Sequence, residues 1–427
     1  MNFNYSVNFK KSVKIIKGNG KSLICNIDNA ECIFLSNECV DIINSAIKEK
    51  ITFNELFEAI EEDKSKEYMK KLVNKLESLH MWSYENNELI QSNQFSISID
   101  ITDKCNLRCK HCCISAGEKI KGEDLSHDDL LNLVCKVAKL NPQILTLSGG
   151  EPLMREDFRE ITQSIRDIYD GTLTLMTNAV LIDEDIAAFI AEKYNAVDVS
   201  IDGADEQSCT LLRGEGVFEK TIRGINLLKQ AGVKKISASM VKTKENQYAV
   251  GDFNKLCEEE LEVTPMIRSL DNSGRAQSVY DSIKITASRE YDEKCAEEAF
   301  VSNKIYKHRP QVFACQGAKR QFQIDYRGNI FPCAALMDDK FCLGNVINID
   351  NLKEYFEQRK FEDTEGYKEF NSLLPYNLNG CEECNENILY FSCANEIRRY
   401  AEQGILEEVC KENRHYYKLY WGSYESV

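Results

Sequence analysis

From Phe95 onward the chain repeats one pattern six times, a short apolar run suited to a strand followed by a helical stretch. The runs are Phe95 to Ile101, Ile144 to Leu147, Leu173 to Met176, Val197 to Ile201, Ile236 to Val241 and Val263 to Ile267. Strands that alternate with helices pair in parallel, because each crossover returns the chain to the same end of the sheet with a right-handed sense. The pattern predicts an α/β fold whose parallel sheet curls into an open, partial (β/α)6 barrel over residues 95–310. Functional residues then belong at the C-terminal ends of the strands.

The distinctive motifs fall there. Cys105, Cys109 and Cys112 form a C-x3-C-x2-C run directly after the first strand, with His111 ahead of the third cysteine. Ser148-Gly149-Gly150-Glu151-Pro152 follows the second strand, Thr177-Asn178-Ala179 the third, and Ser200-Ile201-Asp202-Gly203 the fourth. Three thiolates hold a [4Fe-4S] cubane by three irons and leave the fourth open to a ligand, whereas a four-thiolate site only passes electrons. A structural zinc site would have to take its fourth ligand from His111 or Cys113. Cys113 reads more simply as a small buried hydrophobe.

This set of motifs resembles the cluster signature of the radical S-adenosylmethionine (SAM) enzymes. The resemblance implies a cluster on Cys105, Cys109 and Cys112 whose open iron chelates the amino and carboxylate groups of SAM. It implies that Gly149, Gly150, Glu151 and Pro152 contact the amino group, and that Asn178 and Ser200 offer hydrogen bonds to ribose or carboxylate. By the same resemblance Asp202 meets the ribose hydroxyls and Arg213 pairs with the SAM carboxylate. The competing readings are a strand-end turn former for each Asn or Asp and a surface arginine for Arg213. Ala179 stands where relatives have glycine, which predicts a slightly different backbone at that turn.

Beyond residue 310 cysteines become dense again, at positions 315, 333, 342, 381, 384, 393 and 410. Cys315-x12-Gly328-x4-Cys333 followed by Cys381-x2-Cys384 resembles the SPASM extension, which holds auxiliary [4Fe-4S] clusters in peptide-modifying radical SAM enzymes. Gly328-Asn329 reads as a hairpin turn that places Cys333 at a strand end. The family's cysteine spacing is not kept after Cys384, and Ile397 occupies a ligand position. One solution gives the outer cluster Cys381, Cys384, Cys393 and Cys410, and the inner cluster Cys315, Cys333 and Cys342 with one open iron for a substrate thiolate. The other has a single auxiliary cluster and spare thiols. Residues 311–427 are expected to form this domain.

Residues 1–90 read as a separate winged-helix-like module. Strand patterns at Val13 to Ile16, Ser22 to Ile27 and Glu31 to Leu35 precede three helices, the first capped by Ser36 and the second opened by a Thr52/Glu55 capping box. The order resembles the RiPP recognition element, which binds the leader of a ribosomally made precursor peptide by adding it as a strand at the sheet edge. Lys64, Lys66, Lys70, Lys71 and Lys75 on the third helix suit an acidic leader or form a solvated face. A packing role and DNA binding are the rival readings. Residues 1–95 hold twelve Lys, no Arg and fourteen Asp plus Glu, so the module lacks the arginine that reads base edges.

The 427 residues carry a net charge of −16, which argues against general nucleic-acid affinity. No run is long enough to span a membrane and the first residues are polar, so a cytoplasmic protein is expected. Eighteen cysteines without an export signal point to metal or redox use rather than disulfides. No Ser-His-Asp set, phosphate-cradling loop or paired-carboxylate site stands out.

Taken with the resemblance, these features imply a radical SAM maturase. An electron donor such as flavodoxin or ferredoxin reduces the SAM cluster, and the 5′-deoxyadenosyl radical abstracts hydrogen from a bound precursor peptide. A thioether from cysteine sulfur to carbon is the expected product, with carbon-carbon or carbon-oxygen crosslinking or epimerisation as alternatives. An iron-sulfur redox-sensing DNA-binding regulator is the reading from another class.

Overall fold

The computed structural model describes residues 3–18, 20–83, 95–118, 122–285, 312–378, 386–391 and 393–414. The chain divides into two compact units, one of Met1–Ile90, Arg289–Gln316 and Phe370–Val427, the other of Gln91–Ser288 and Gly317–Glu369.

The first unit opens with an antiparallel sheet in the order β1 (Val13–Lys17), β2 (Lys21–Asn26), β3 (Glu31–Ser36). Ser36 then caps α1 (Asn37–Glu49), its Oγ accepting from Cys39 N at 3.3 Å. The Thr52/Glu55 capping box opens α2 (Phe53–Glu58), and α3 (Asp63–Ser78) follows. Three strands followed by three helices is the order the sequence pattern predicts. Helix α3 buries Met69, Leu72, Val73 and Leu76 and leaves Lys64, Lys70, Lys71 and Lys75 exposed. Trp82 sits in this core at 1 % exposure, where a buried indole N–H needs a partner; its Nε1 donates to Val73 O at 3.0 Å and its ring stacks on Phe9. Later segments close on the same unit: Phe313 N donates to Ile388 O at 2.7 Å, and Gln316 Nε2 to Asp28 O at 3.1 Å.

The second unit is built on eight strands in the order β11-β10-β4-β5-β6-β7-β8-β9. Strands β4 (Ser96–Asp100), β5 (Ile144–Ser148), β6 (Thr172–Thr177), β7 (Ala196–Ser200), β8 (Ile236–Lys242) and β9 (Thr264–Ser269) are the six expected, all parallel. Between them run α4 (His127–Ala138), α5 (Phe158–Arg166), α6 (Glu184–Lys193), α7 (Glu206–Arg213), α8 (Val217–Gln230) and α9 (Val250–Lys255). The expected hairpin is β10 (Gln321–Ile324) and β11 (Ile330–Phe331), turning through Gly328 at φ 87°. Its place in the sheet was not expected. Strand β10 pairs in parallel with β4, so residues 317–369 close with the barrel.

The two faces of this sheet differ. Ile97, Ile99, Leu145, Leu147, Leu173, Leu175 and Val199 have no exposed surface. On the opposite face the register aligns Ser98 with Thr146 and Thr174, Asp100 with Ser148, and Asp198 with Ser237. Ser200 aligns with Ser239 and Met266 on the same face. A closed barrel fills its interior with branched apolar side chains. Here the inner face is mostly hydroxyl, carboxylate and amide, which suits a polar ligand. Among the described residues no helix is long and apolar enough to cross a membrane.

Candidate functional site

The cysteine loop leaves β4 and is pinned at both ends. Asp124 accepts from Thr102 Oγ1 at 2.5 Å and from Asp103 N at 2.7 Å, and Lys110 N donates to Leu212 O at 2.9 Å. Cys105, Cys109 and Cys112 are all half-buried, and each sulfur has a donor. Leu107 N lies 3.4 Å from Cys105 Sγ, Ala116 N 3.3 Å from Cys112 Sγ, and Arg213 Nη1 3.8 Å from Cys109 Sγ. Donors aimed at sulfur favour thiolate. Burial nonetheless pushes the Cys105 thiol up to about 11, opposed by Leu107 N–H and reinforced by the charges of Glu151, Cys109 and Cys112. Three thiols within one another's field lose their protons together when a polycationic centre compensates them, and this is the fit expected of a cluster-binding loop.

The Gly-Gly-Glu-Pro turn presses on that loop. Gly150 N donates to Thr102 O at 2.9 Å and Glu151 N to Lys104 O at 2.8 Å. A Cβ on Gly150 would stand 2.2 Å from Lys104 O, so only glycine permits this approach. Gly149 precedes it at φ 137°. Glu151 is wholly buried and accepts from Thr177 Oγ1 and Asn178 N, both at 2.8 Å, and from Leu153 N at 3.2 Å. Burial raises its carboxyl and these three bonds oppose the rise. Pro152, also buried, begins a short helical turn. Asn178 Nδ2 donates to Asn106 Oδ1 at 2.8 Å, and Ala179 sits at φ 59°, in the left-handed region that glycine favours.

Ser200 is half-buried at the end of β7. Two residues on, Asp202 is 1 % exposed and adopts φ 63°. Its Oδ2 lies 2.8 Å from His111 Nε2 and 2.6 Å from Arg213 Nε, and its Oδ1 accepts from Val241 N at 2.5 Å. Burial alone would raise this carboxyl; the charges of Arg213 and His111 override it and hold Asp202 below the ordinary carboxylate range. The Arg213 side chain is only 8 % exposed, so it is not a surface arginine.

Arg275 belongs to the site and has no sequence signature. From just beyond β9 its Nη1 donates to Cys109 O at 2.9 Å and its Nη2 to Ala116 O at 2.8 Å. Its Nε pairs with Glu118 at 2.7 Å, and its backbone N–H donates to Cys112 O at 2.9 Å. The only hint in the sequence is its position shortly after the sixth strand run. Cys113, expected to be buried, is exposed because it lies in an irregular turn rather than beneath an element.

Of the expected auxiliary ligands, Cys333 lies two residues beyond the end of β11 and is half-buried, as are Cys315, Cys342 and Cys410, while Cys393 is exposed. Cys381 and Cys384 lie outside the described residues. Burial raises the Cys342 thiol, whose Sγ is 3.4 Å from Gly344 O. Of the remaining thiols Cys25, Cys32, Cys209 and Cys257 are buried, Cys39 and Cys135 are half-buried, and Cys295 lies outside the described residues.

Residues 99–253 match the model of the radical SAM superfamily, and residues 315–385 that of SPASM, an iron-sulfur cluster-binding domain. The chain is a radical SAM/SPASM enzyme. Its first domain carries a [4Fe-4S] cluster and SAM, and its second carries auxiliary iron-sulfur clusters. Among curated proteins the radical SAM/SPASM chain is similar to mycofactocin maturase MftC of Mycolicibacterium smegmatis, 27% identical over 299 residues, which is 67% of this chain and 74% of that one. It is also 32% identical to the AdoMet-dependent heme synthase of Nitratidesulfovibrio vulgaris over 200 residues, 46% of this chain and 53% of its relative. In fold it is similar to Streptococcus suis SuiB bound to S-adenosylmethionine, with a TM-score of 0.54 and 17% identity over 92% of this chain and 96% of that one.

Proposed function

We propose that this enzyme matures a ribosomally made precursor peptide by hydrogen-atom abstraction and joins a cysteine sulfur to a carbon as a thioether. The observation that carries the reading is the three-cysteine loop held at the strand ends beside a mostly polar inner sheet face. The similarity to a curated maturase over two thirds of the chain supports a peptide substrate. So does the likeness in fold to SuiB, which has been captured with its precursor peptide SuiA.

When bound, the cluster and SAM supply a 5′-deoxyadenosyl radical. The chain's own residues prepare for that chemistry. Cys105, Cys109 and Cys112 hold the cluster, and the backbone of Gly149, Gly150, Glu151 and Pro152 offers polar groups to the SAM amino group. Asn178, Ser200, Asp202 and Arg213 would offer polar groups to the ribose and carboxylate. The inner face of the sheet orients one C–H bond of the peptide, because distance and direction govern such a transfer. Residues 1–90 take the leader at an edge of the β1-β2-β3 sheet, where a strand keeps an unpaired row of backbone groups. Residues 95–310 serve as the catalytic barrel. Residues 311–427 would hold two auxiliary clusters, the inner on Cys315, Cys333 and Cys342 and the outer on Cys381, Cys384, Cys393 and Cys410, which would supply an exit for an electron from the substrate. A flavodoxin or ferredoxin in the cytoplasm supplies the first electron.

The test is anaerobic incubation of the reconstituted full chain with SAM, reductant and the short peptide encoded beside its gene, read by fragment mass. Loss of two hydrogens on a cysteine-containing fragment is expected. The same loss without cysteine means a carbon-carbon or carbon-oxygen crosslink, unchanged mass with solvent deuterium incorporated means epimerisation, and no SAM cleavage at all overturns the reading.

A further inference from the structure

Asp202 does more than end a strand. One wholly buried carboxylate lies against an imidazole and a guanidinium that both bear on the cysteine loop. His111 belongs to the loop, and Arg213 reaches it from the end of α7 with Nη1 3.8 Å from Cys109 Sγ. Arg213 and His111 side chains are each 8 % exposed, so little water screens the Asp202–Arg213 pair. Backbone bonds fix the carboxylate in turn: Oδ1 accepts from Val241 N at 2.5 Å, and Asn246 Nδ2 donates to Asp202 O at 3.1 Å. Among the described residues His111 Nδ1 is buried with no hydrogen-bond partner. The 2.8 Å approach of Nε2 to Asp202 Oδ2 is, among the described residues, the polar contact made by this ring.

We propose that Asp202 is a positioning residue that sets the reduction potential of the SAM-binding cluster, by offsetting the charge of the Arg213 guanidinium that faces Cys109. Reduction adds one electron, donated by an external reductant, to a centre ligated through that sulfur. A cation and N–H donor at the sulfur favours the reduced form; a buried anion behind the cation disfavours it. The two residues therefore act with opposite signs. This rests on the cluster reading of Cys105, Cys109 and Cys112 and goes beyond any contact Asp202 makes with SAM.

The experiment is a mediated redox titration of the reconstituted full chain without SAM, followed by electron paramagnetic resonance. The signal is assigned as the one lost in the C105A/C109A/C112A variant, with iron and sulfide content measured in parallel. Wild-type protein lacking a cysteine-dependent cluster would overturn the cluster reading itself. With the cluster present, D202N is expected to shift the reduction equilibrium about tenfold toward the reduced form, roughly 59 mV for a one-electron couple, and R213Q to shift it the other way. D202N/R213Q should return near the wild-type value. Unmoved potentials, shifts of the same sign, or weakened SAM binding as the sole effect of D202N would overturn the proposal. If D202N fails to fold or load, R213K against R213Q decides: R213K should stay nearer the wild-type potential, and equal values for the two overturn it.

Discussion

Asn178 Nδ2 donates to Asn106 Oδ1 at 2.8 Å, so the end of β6 is tied to the residue behind the first cysteine. A net hydrogen bond of this kind contributes about 1 kcal/mol, roughly a fivefold change in a local opening equilibrium. Asn178→Ala is expected to speed amide exchange across residues 104–112 about fivefold while leaving β4 unchanged. Hydrogen-deuterium exchange of the ligand-free protein checks this, and equal rates would show that the tie does not restrain the loop.

Arg275 holds the loop from the other side through two carbonyls and Glu118. Hydrogen bonds from a charged group contribute about 1.5–3 kcal/mol. Arg275→Ala should therefore release cluster iron to a chelator at least tenfold faster than wild type, with Arg275→Lys in between because an ammonium lacks the planar fork. Release rates that do not change in either variant would count against the clamp.

Gly150 lies against Lys104 O so closely that a methyl group must displace backbone. Gly150→Ala is expected to cost about 3 kcal/mol or more, or to prevent soluble expression. Gly20, with open space around its would-be Cβ, provides the control, and Gly20→Ala should stay within about 0.5 kcal/mol. Denaturant midpoints compare the two; similar losses in both would mean that the close approach is not the cause.

Asp100 gives a pH dependence. It is 4 % exposed, and its carboxyl is pushed up to about 7, first by burial and then by the charge of Asp325, while Gln323 and Ser148 hydrogen bonds oppose the rise. In the unfolded chain it titrates near the ordinary value of about 4. The folded state thus holds a proton that the unfolded state releases between about pH 4 and 7, and stability falls as pH rises through that window. Asp100→Asn should be more stable than wild type at pH 8 by up to roughly 4 kcal/mol, and the two should converge near pH 4. A gain that is the same at both pH values would place its origin elsewhere.

The six strands were legible because each is a short apolar run between helical stretches, and the motifs because they sit at the strand ends. The capping residues Ser36 and Thr52 marked their helices for similarly local reasons. Pairing between distant segments left no such trace. Gln321–Ile324 reads like either arm of any hairpin, and nothing in it announces β4 as its neighbour. Arg275 stands alone in a polar stretch, without the spacing that makes three cysteines conspicuous. Asp202 was visible as a carboxylate at a strand end, but a carboxylate clasped by Arg213 and His111 looks the same in one dimension as one facing solvent.

Strand β10 lies against β4 in the register Gln321 to Ser96 through Ile324 to Ile99, so the strand that launches the cysteine loop is an interior one. On the ribosome β4 to β9 emerge well before β10 is made, and until then β4 has a bare edge. The loop gains its final footing only when the chain beyond residue 324 is out. Metal loading that needs this footing belongs to the finished polypeptide, and a chain released early would carry all three cysteines without the strand that steadies them.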